Sequence, residues 1–103
     1  MAIFQGGNEA IFIEFEENIE SVPHISCGLY VDGVEQKHWD ENNTERDGSV
    51  LILPITQQES AAFTPGACKL LTKFFDDEGN TIFYNNLFDV IEEREDKNHL
   101  FGS

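Results

Sequence analysis

Three histidines (His24, His38 and His99) and two cysteines (Cys27 and Cys68) are the side chains of this sequence best suited to proton transfer, nucleophilic attack or metal binding. Zinc sites draw on closely spaced pairs of such residues, and no such spacing links the histidines to one another or to the cysteines. His38 and Asp40 stand two apart on a strand, so imidazole and carboxylate share a face. That geometry suits an orienting pair, but no serine or cysteine nucleophile is set beside it, and two polar residues at a strand end is the plainer expectation. The run Asp76-Asp77-Glu78-Gly79-Asn80 superficially resembles a calcium loop. The EF-hand pattern, however, places its glycine after the third ligand and a glutamate six residues later, and Gly79 comes too early. A tight turn accounts for the same residues, leaving at most weak calcium binding at that rim or at Asp40-Glu41. Asn42-Asn43-Thr44 matches the N-glycosylation triplet, which matters only in a secreted chain. No phosphate-binding glycine loop and no nucleophile elbow is present. No catalytic, cofactor-binding or metal-ligating residue is therefore assigned, no cofactor is expected, and an enzyme is the poorer class.

Charge sets the next bound. Twenty acidic against six basic residues give a net charge of −14 in 103 residues. Such a field repels phosphate backbones and anionic headgroups, so nucleic acid and membrane surfaces are excluded as partners. A solvated acidic surface or a basic protein partner fits. The length suits one domain, expected over residues 1–91, with an acidic C-terminal tail or short docking helix over residues 92–103. No run approaches the ~20 apolar residues of a membrane span, and Met1-Ala2-Ile3-Phe4 lacks a basic leader. Residence inside the cell is the expectation, and there Cys27 and Cys68 stay reduced. The order Cys27, Trp39, Cys68 is that of antibody-type domains, in which tryptophan packs on an inter-sheet disulfide. The second interval is short, and Gly66 stands where a tyrosine would precede Cys68, so buried thiols are the expected state.

The positioning elements follow from apolar alternation at every second residue. Ala2 to Gln5 is a short β-prone start and Gly6-Gly7-Asn8 a turn. Ile11, Ile13 and Phe15 share one face of a strand within Glu9 to Glu16, and a polar loop runs from there to Pro23. His24 to Asp32 turns Ile25, Cys27, Leu29 and Val31 inward. Asp32-Gly33 tolerates positive φ and predicts a hairpin into Val34 to Trp39. Asp40 to Gly48 is polar and reads as a surface loop. An apolar strand from Ser49 to Ile55 leads to Thr56 and Glu59, a capping-box pair, and Pro65-Gly66 stops the helical turn. Phe63 is the expected anchor of that turn. Ala67 to Phe75 directs Cys68, Leu70, Thr72 and Phe74 inward. From Thr81 to Ile91 the alternation leaves open which set is buried, with Asn85-Asn86 as the place where a bulge would switch the face. Together these elements predict an all-β, immunoglobulin-like antiparallel β-sandwich of about seven strands, with one short helical turn near residues 56–62.

Pro54-Ile55-Thr56-Gln57-Gln58-Glu59, then Phe63, Pro65-Gly66 and the strand into Asp76-Asp77-Glu78-Gly79-Asn80, resemble small prophage-encoded β-sandwich proteins of Gram-positive bacteria. That group includes the amino-terminal domain of phage baseplate upper proteins. Gln5-Gly6-Gly7 before Ile11, Ile13 and Phe15 is similar to the opening of that family, so the likeness spans most of residues 2–91. Ser60, Ala61, Cys68 and Phe74-Phe75 depart from the family's common residues. The resemblance implies a phage or prophage structural or assembly protein, a baseplate or tail adaptor, acting through contacts with other phage structural proteins or by self-association. It implies no catalysis, and a location in the bacterial host cytoplasm and then the virion. The alternative is a small acidic binding module whose loops, Asp40 to Gly48 and Asp76 to Asn80, recognise a basic protein or a carbohydrate.

Overall fold

Alternating burial writes most of this structure. In the computed structural model, which describes residues 2–7 and 10–93, the elements are β1 (Ala2–Phe4), β2 (Ile11–Glu14), β3 (His24–Val31), β4 (Val34–Asp40), β5 (Glu45–Asp47), β6 (Val50–Leu53), α1 (Gln57–Ala61), β7 (Gly66–Phe75) and β8 (Thr81–Glu92). They form a five-stranded sheet, β1-β8-β7-β3-β4, and a three-stranded sheet, β2-β6-β5. The chain is all-β, as expected, but with eight strands rather than about seven. Among the described residues no helix is long and apolar enough to cross a membrane. The expected tail or docking helix over 92–103 lies, from residue 94 on, outside the described residues.

One strand pair departs from the expected antiparallel pattern. β1 runs parallel to the end of β8, with Ile3 opposite Ile91. Nearly the whole chain separates the two strands, so no hairpin imposes an antiparallel direction. The Gln5 backbone N–H extends the contact to the Glu92 carbonyl at 3.0 Å, and the buried Gln5 amide donates to the Phe63 carbonyl at 2.6 Å.

Inward alternation appears where the sequence pattern is cleanest. On β3, Ile25, Cys27, Leu29 and Val31 are all buried, and on β7 so are Cys68, Leu70, Thr72 and Phe74. They join Ile11, Ile13, Leu51 and Leu53 of the smaller sheet around one core. The β3–β4 hairpin turns at Asp32 (φ 51°) and Gly33 (φ 78°), and the positive φ at both positions matches the right-handed twist of the flanking strands. A register shift follows between Leu29 and Tyr30.

The polar stretch read as a surface loop contains β5, antiparallel to β6. Turn-forming composition is overridden here by a long-range anchor. The Arg46 guanidinium donates to the Ile19 carbonyl at 3.0 Å and to the Val22 carbonyl, tying β5 to the loop before β3.

Crossing from the small sheet to the large one occurs between β6 and β7. Trp39 of β4 is fully buried and its indole N–H donates to the Pro54 carbonyl at 2.9 Å, just past β6. Thr56 then caps α1, accepting from the Glu59 N–H while the Glu59 carboxylate accepts from the Thr56 N–H at 2.9 Å. That carboxylate also pairs with Lys37, whose ammonium lies 5.3 Å from the Trp39 ring centroid. Burial pushes the Glu59 carboxyl up, but Lys37 and Thr56 outweigh it and hold it below the ordinary carboxylate range. Phe63 is buried at the end of the turn, as expected.

β8 is one continuous strand with no bulge at Asn85-Asn86; its ladder to β7 instead carries an extra residue at Ile82, since Phe83 lies opposite Phe74 and Thr81 opposite Phe75. Of its large apolar residues only Ile91 is buried. Strands lie about 4.8 Å apart, so the five-stranded sheet is wider than the three-stranded one by about 10 Å.

Two substitutions on the crossover separate its contributions. Trp39→Phe strands the Pro54 carbonyl and leaves a void, and is expected to cost about 2–4 kcal/mol in urea unfolding. Thr56→Ala removes only the cap and is expected to cost about 1 kcal/mol. Equal losses would show that the indole bond carries no special weight.

Candidate functional site

Local sequence places His24 at the first residue of β3, directly after the Val22-Pro23 approach, where the strand emerges from the core. The fold brings two acidic loops to its ring. Nδ1–H donates to Glu41 Oε1 at 2.7 Å and Nε2–H to Asp77 Oδ1 at 2.9 Å. Carboxylates only accept, so this pattern is satisfied in full by the imidazolium alone. The ring also stacks on Phe75, its partner across the ladder, at 5.2 Å and 20°. The hydrogen bond to Glu41 lifts the His24 pKa above its ordinary 6.5; desolvation opposes it, and the hydrogen bond to Asp77 adds to the rise. The same bond holds Glu41 below the ordinary range. Both ring nitrogens are engaged, so His24 is a staple between the loops after β4 and β7, not a free general base.

The remaining residues singled out by sequence fall apart in space. His38 and Asp40 do not pair. His38 Nε2 meets Ser26 Oγ at 2.8 Å, while Asp40 organises its own loop, its carboxylate accepting from the Asn42 N–H at 2.8 Å. Cys27 and Cys68 are free and buried, in adjacent strands of one sheet. Cys27 sits opposite Thr72, four positions along from Cys68, which separates the two by about 13 Å, whereas a disulfide needs Cα atoms within about 7 Å. Burial pushes the Cys27 thiol up to about 11. His99 lies outside the described residues. The Asp76 to Asn80 run forms a tight turn in which the Asp76 carboxylate accepts from the N–H groups of Glu78 and Asn80 at 3.0 and 2.9 Å. Backbone donation, first from Asn80, lowers its pKa. Among the described residues no group of three or more His, Cys, Asp or Glu is arranged to hold a metal ion.

Sequence reasoning assigned no role to the most unusual surface of the molecule. Along β8, Phe88 is 77%, Ile82 55%, Tyr84 54% and Phe83 45% exposed. Residues of both parities are uncovered, and on the core-directed face only Ile91 is buried. Phe83 still touches the core edge-on through Phe15, at 5.6 Å between centroids. A groove of about 440 Å³ runs beside that contact, floored by Phe15, Phe74 and Phe83 and rimmed by Glu14, Glu16 and Glu17. The available signal was the absence of Asp, Glu, Lys and Arg from Thr81 to Phe88 in a chain of net charge −14.

The His24 staple gives a signed pH dependence. Its contribution is present below the ordinary imidazole value of 6.5 and is lost as pH rises through the raised folded-state value. At the acid end, the Glu41 share is present above its ordinary 4.5 and is lost as pH falls through its depressed value. An NMR titration should place the His24 midpoint above 6.5, with Glu41→Gln lowering it more than Asp77→Asn. A wild-type midpoint at or below 6.5 would break the staple.

No protein-family model matches the chain, and no curated protein matches its sequence.

Proposed function

We propose that this protein is a phage or prophage structural or assembly component, of the baseplate or tail-adaptor type, acting through protein contacts and without catalysis. The observation that carries this reading is β8. A long strand with large apolar residues exposed on both faces costs solubility and invites pairing, and cells keep such strands where a neighbour covers them. The resemblance in residues 54–80 supplies the class of neighbour, other phage structural proteins. An immunoglobulin-like identity for the fold belongs to the same reading. The order β2-β6-β5 corresponds to strands B-E-D, and β8-β7-β3-β4 to G-F-C-C′. The protein would then be made in the bacterial host cytoplasm and end in the virion.

A second reading is favoured by one observation: His24 joins the two acidic loops at one end of the molecule. In that reading they form a small acidic module for a basic protein or a carbohydrate.

Particles purified on a density gradient after induction of the encoding strain decide between the two. The chain is expected in them at a fixed ratio to the other structural proteins, measured by mass spectrometry. Recovery from the lysate but never from particles would sink the assembly reading.

A further inference from the structure

We propose that the free edge of β8 pairs antiparallel with β8 of a second copy, about a two-fold axis through Asn85, joining two five-stranded sheets into one. This deepens the assembly reading by naming the partner, and it rests on that reading. Three independent observations select the occupant and the register.

The first is where backbone remains open. β7 pairs with one side of β8 along its length, whereas β1 covers the other side only at Val90, Ile91 and Glu92. Among the described residues no strand pairs with the outer edge from Thr81 to Asp89. An edge of this kind offers alternating N–H and C=O groups to another strand. Two of the devices that usually blunt it are missing, because this stretch holds no lysine and no proline, and the one extra residue in its ladder to β7, Ile82, lies near its far end.

The second is symmetry. The open stretch is bounded by the Asp76 to Asn80 turn on one side and by β1 on the other, and its midpoint is Asn85. A two-fold axis perpendicular to the sheet keeps both cores on the same side and sets residues of like parity opposite each other. With Asn85 on the axis, Phe83 faces Leu87 on the inner face. Tyr84 faces Asn86 on the outer face, and Phe88 falls opposite the bulge at Ile82. The only carboxylate of the stretch, Asp89, meets Thr81 and not its own copy. A shift of register by two toward Val90 collides with β1.

The third is charge. Of the four described cations, Lys37 is held by Glu59 and Arg46 by backbone carbonyls. Lys69 and Lys73 lie on the outward face of β7, opposite Phe88 and Tyr84 of β8. The outward face of β8 is therefore a neutral-to-positive island on a surface that elsewhere repels its own kind, while Glu14, Glu16 and Glu17 rim the groove beside Phe83. A basic partner is steered away from this island and toward the acidic loops. A second copy meets no repulsion here and meets it elsewhere on the surface.

Sedimentation and light scattering on the full chain test the dimer. A reversible dimer is expected at micromolar concentration, and Phe88→Lys, at a residue already exposed, is expected to weaken it at least tenfold while circular dichroism and Tm stay unchanged. Asn85→Cys is expected to cross-link into a disulfide dimer under mild oxidation, and Ile82→Cys is not, because its own copy then lies several residues away. The wild-type chain, with both cysteines buried, is the control. A strictly monomeric chain overturns the proposal, as does a dimer that Phe88→Lys leaves intact or that cross-links at Ile82→Cys rather than at Asn85→Cys. A monomer that is nonetheless incorporated into particles overturns the pairing and leaves the assembly reading standing. A dimer that pairs as described but is absent from particles upholds the pairing and removes the assembly reading.

Discussion

The seat of Trp39 constrains this fold more than any other single contact. Two sheets of unequal width share one core, and the chain must leave the smaller sheet and enter the larger one between β6 and β7. A fully buried indole from the larger sheet takes its acceptor from the first residue past β6, so apolar packing and the direction of the crossover are set by one side chain. A buried N–H left without an acceptor costs more than most single contacts contribute, which makes the position of Pro54 specific. Everything just beyond it is tied back to the same place. The Glu59 carboxylate serves the cap of α1 and Lys37 together, and Ser60 Oγ donates to the Gly7 carbonyl at 2.6 Å, holding the segment after β1 against the helix. Among the described residues no buried side-chain nitrogen or oxygen lacks a partner.

Unequal width also decides where the molecule exposes apolar surface. Three strands cannot roof five, and most of the large apolar residues of β8 remain exposed. The exposed aromatic edge is thus a consequence of topology and not of any one residue. The charged ends of the molecule behave differently. His24 gathers Glu41 and Asp77 into a hydrogen-bonded cluster, so charge there is organised locally, while β8 itself carries no charged residue from Thr81 to Phe88.

Much of the fold was legible in residue order. The inward sets of β3 and β7, the Asp32-Gly33 hairpin, the capping box at Thr56 and Glu59 and the anchoring role of Phe63 all depend on neighbours within a few positions, where alternation and turn chemistry speak directly. The misreadings share a different cause. β5 was hidden because its stability comes from Arg46 reaching carbonyls of Ile19 and Val22 far back in the chain. His38 and Asp40 share a strand face, yet each found a better partner across the ladder or within the loop. The undecided face of β8 was a fair signal, since its residues of both parities are exposed.

Residue order sufficed for the strand content, the net acidity, and the place of the capped crossover, because each follows from composition or from contacts a few residues long. Folding in three dimensions was needed to set His24 between Glu41 and Asp77, to hold Cys27 and Cys68 too far apart to bond, and to leave most of the large apolar residues of β8 exposed. Those outcomes depend on which strands become neighbours, and long-range pairing is set by the packing of the whole chain rather than by any local pattern.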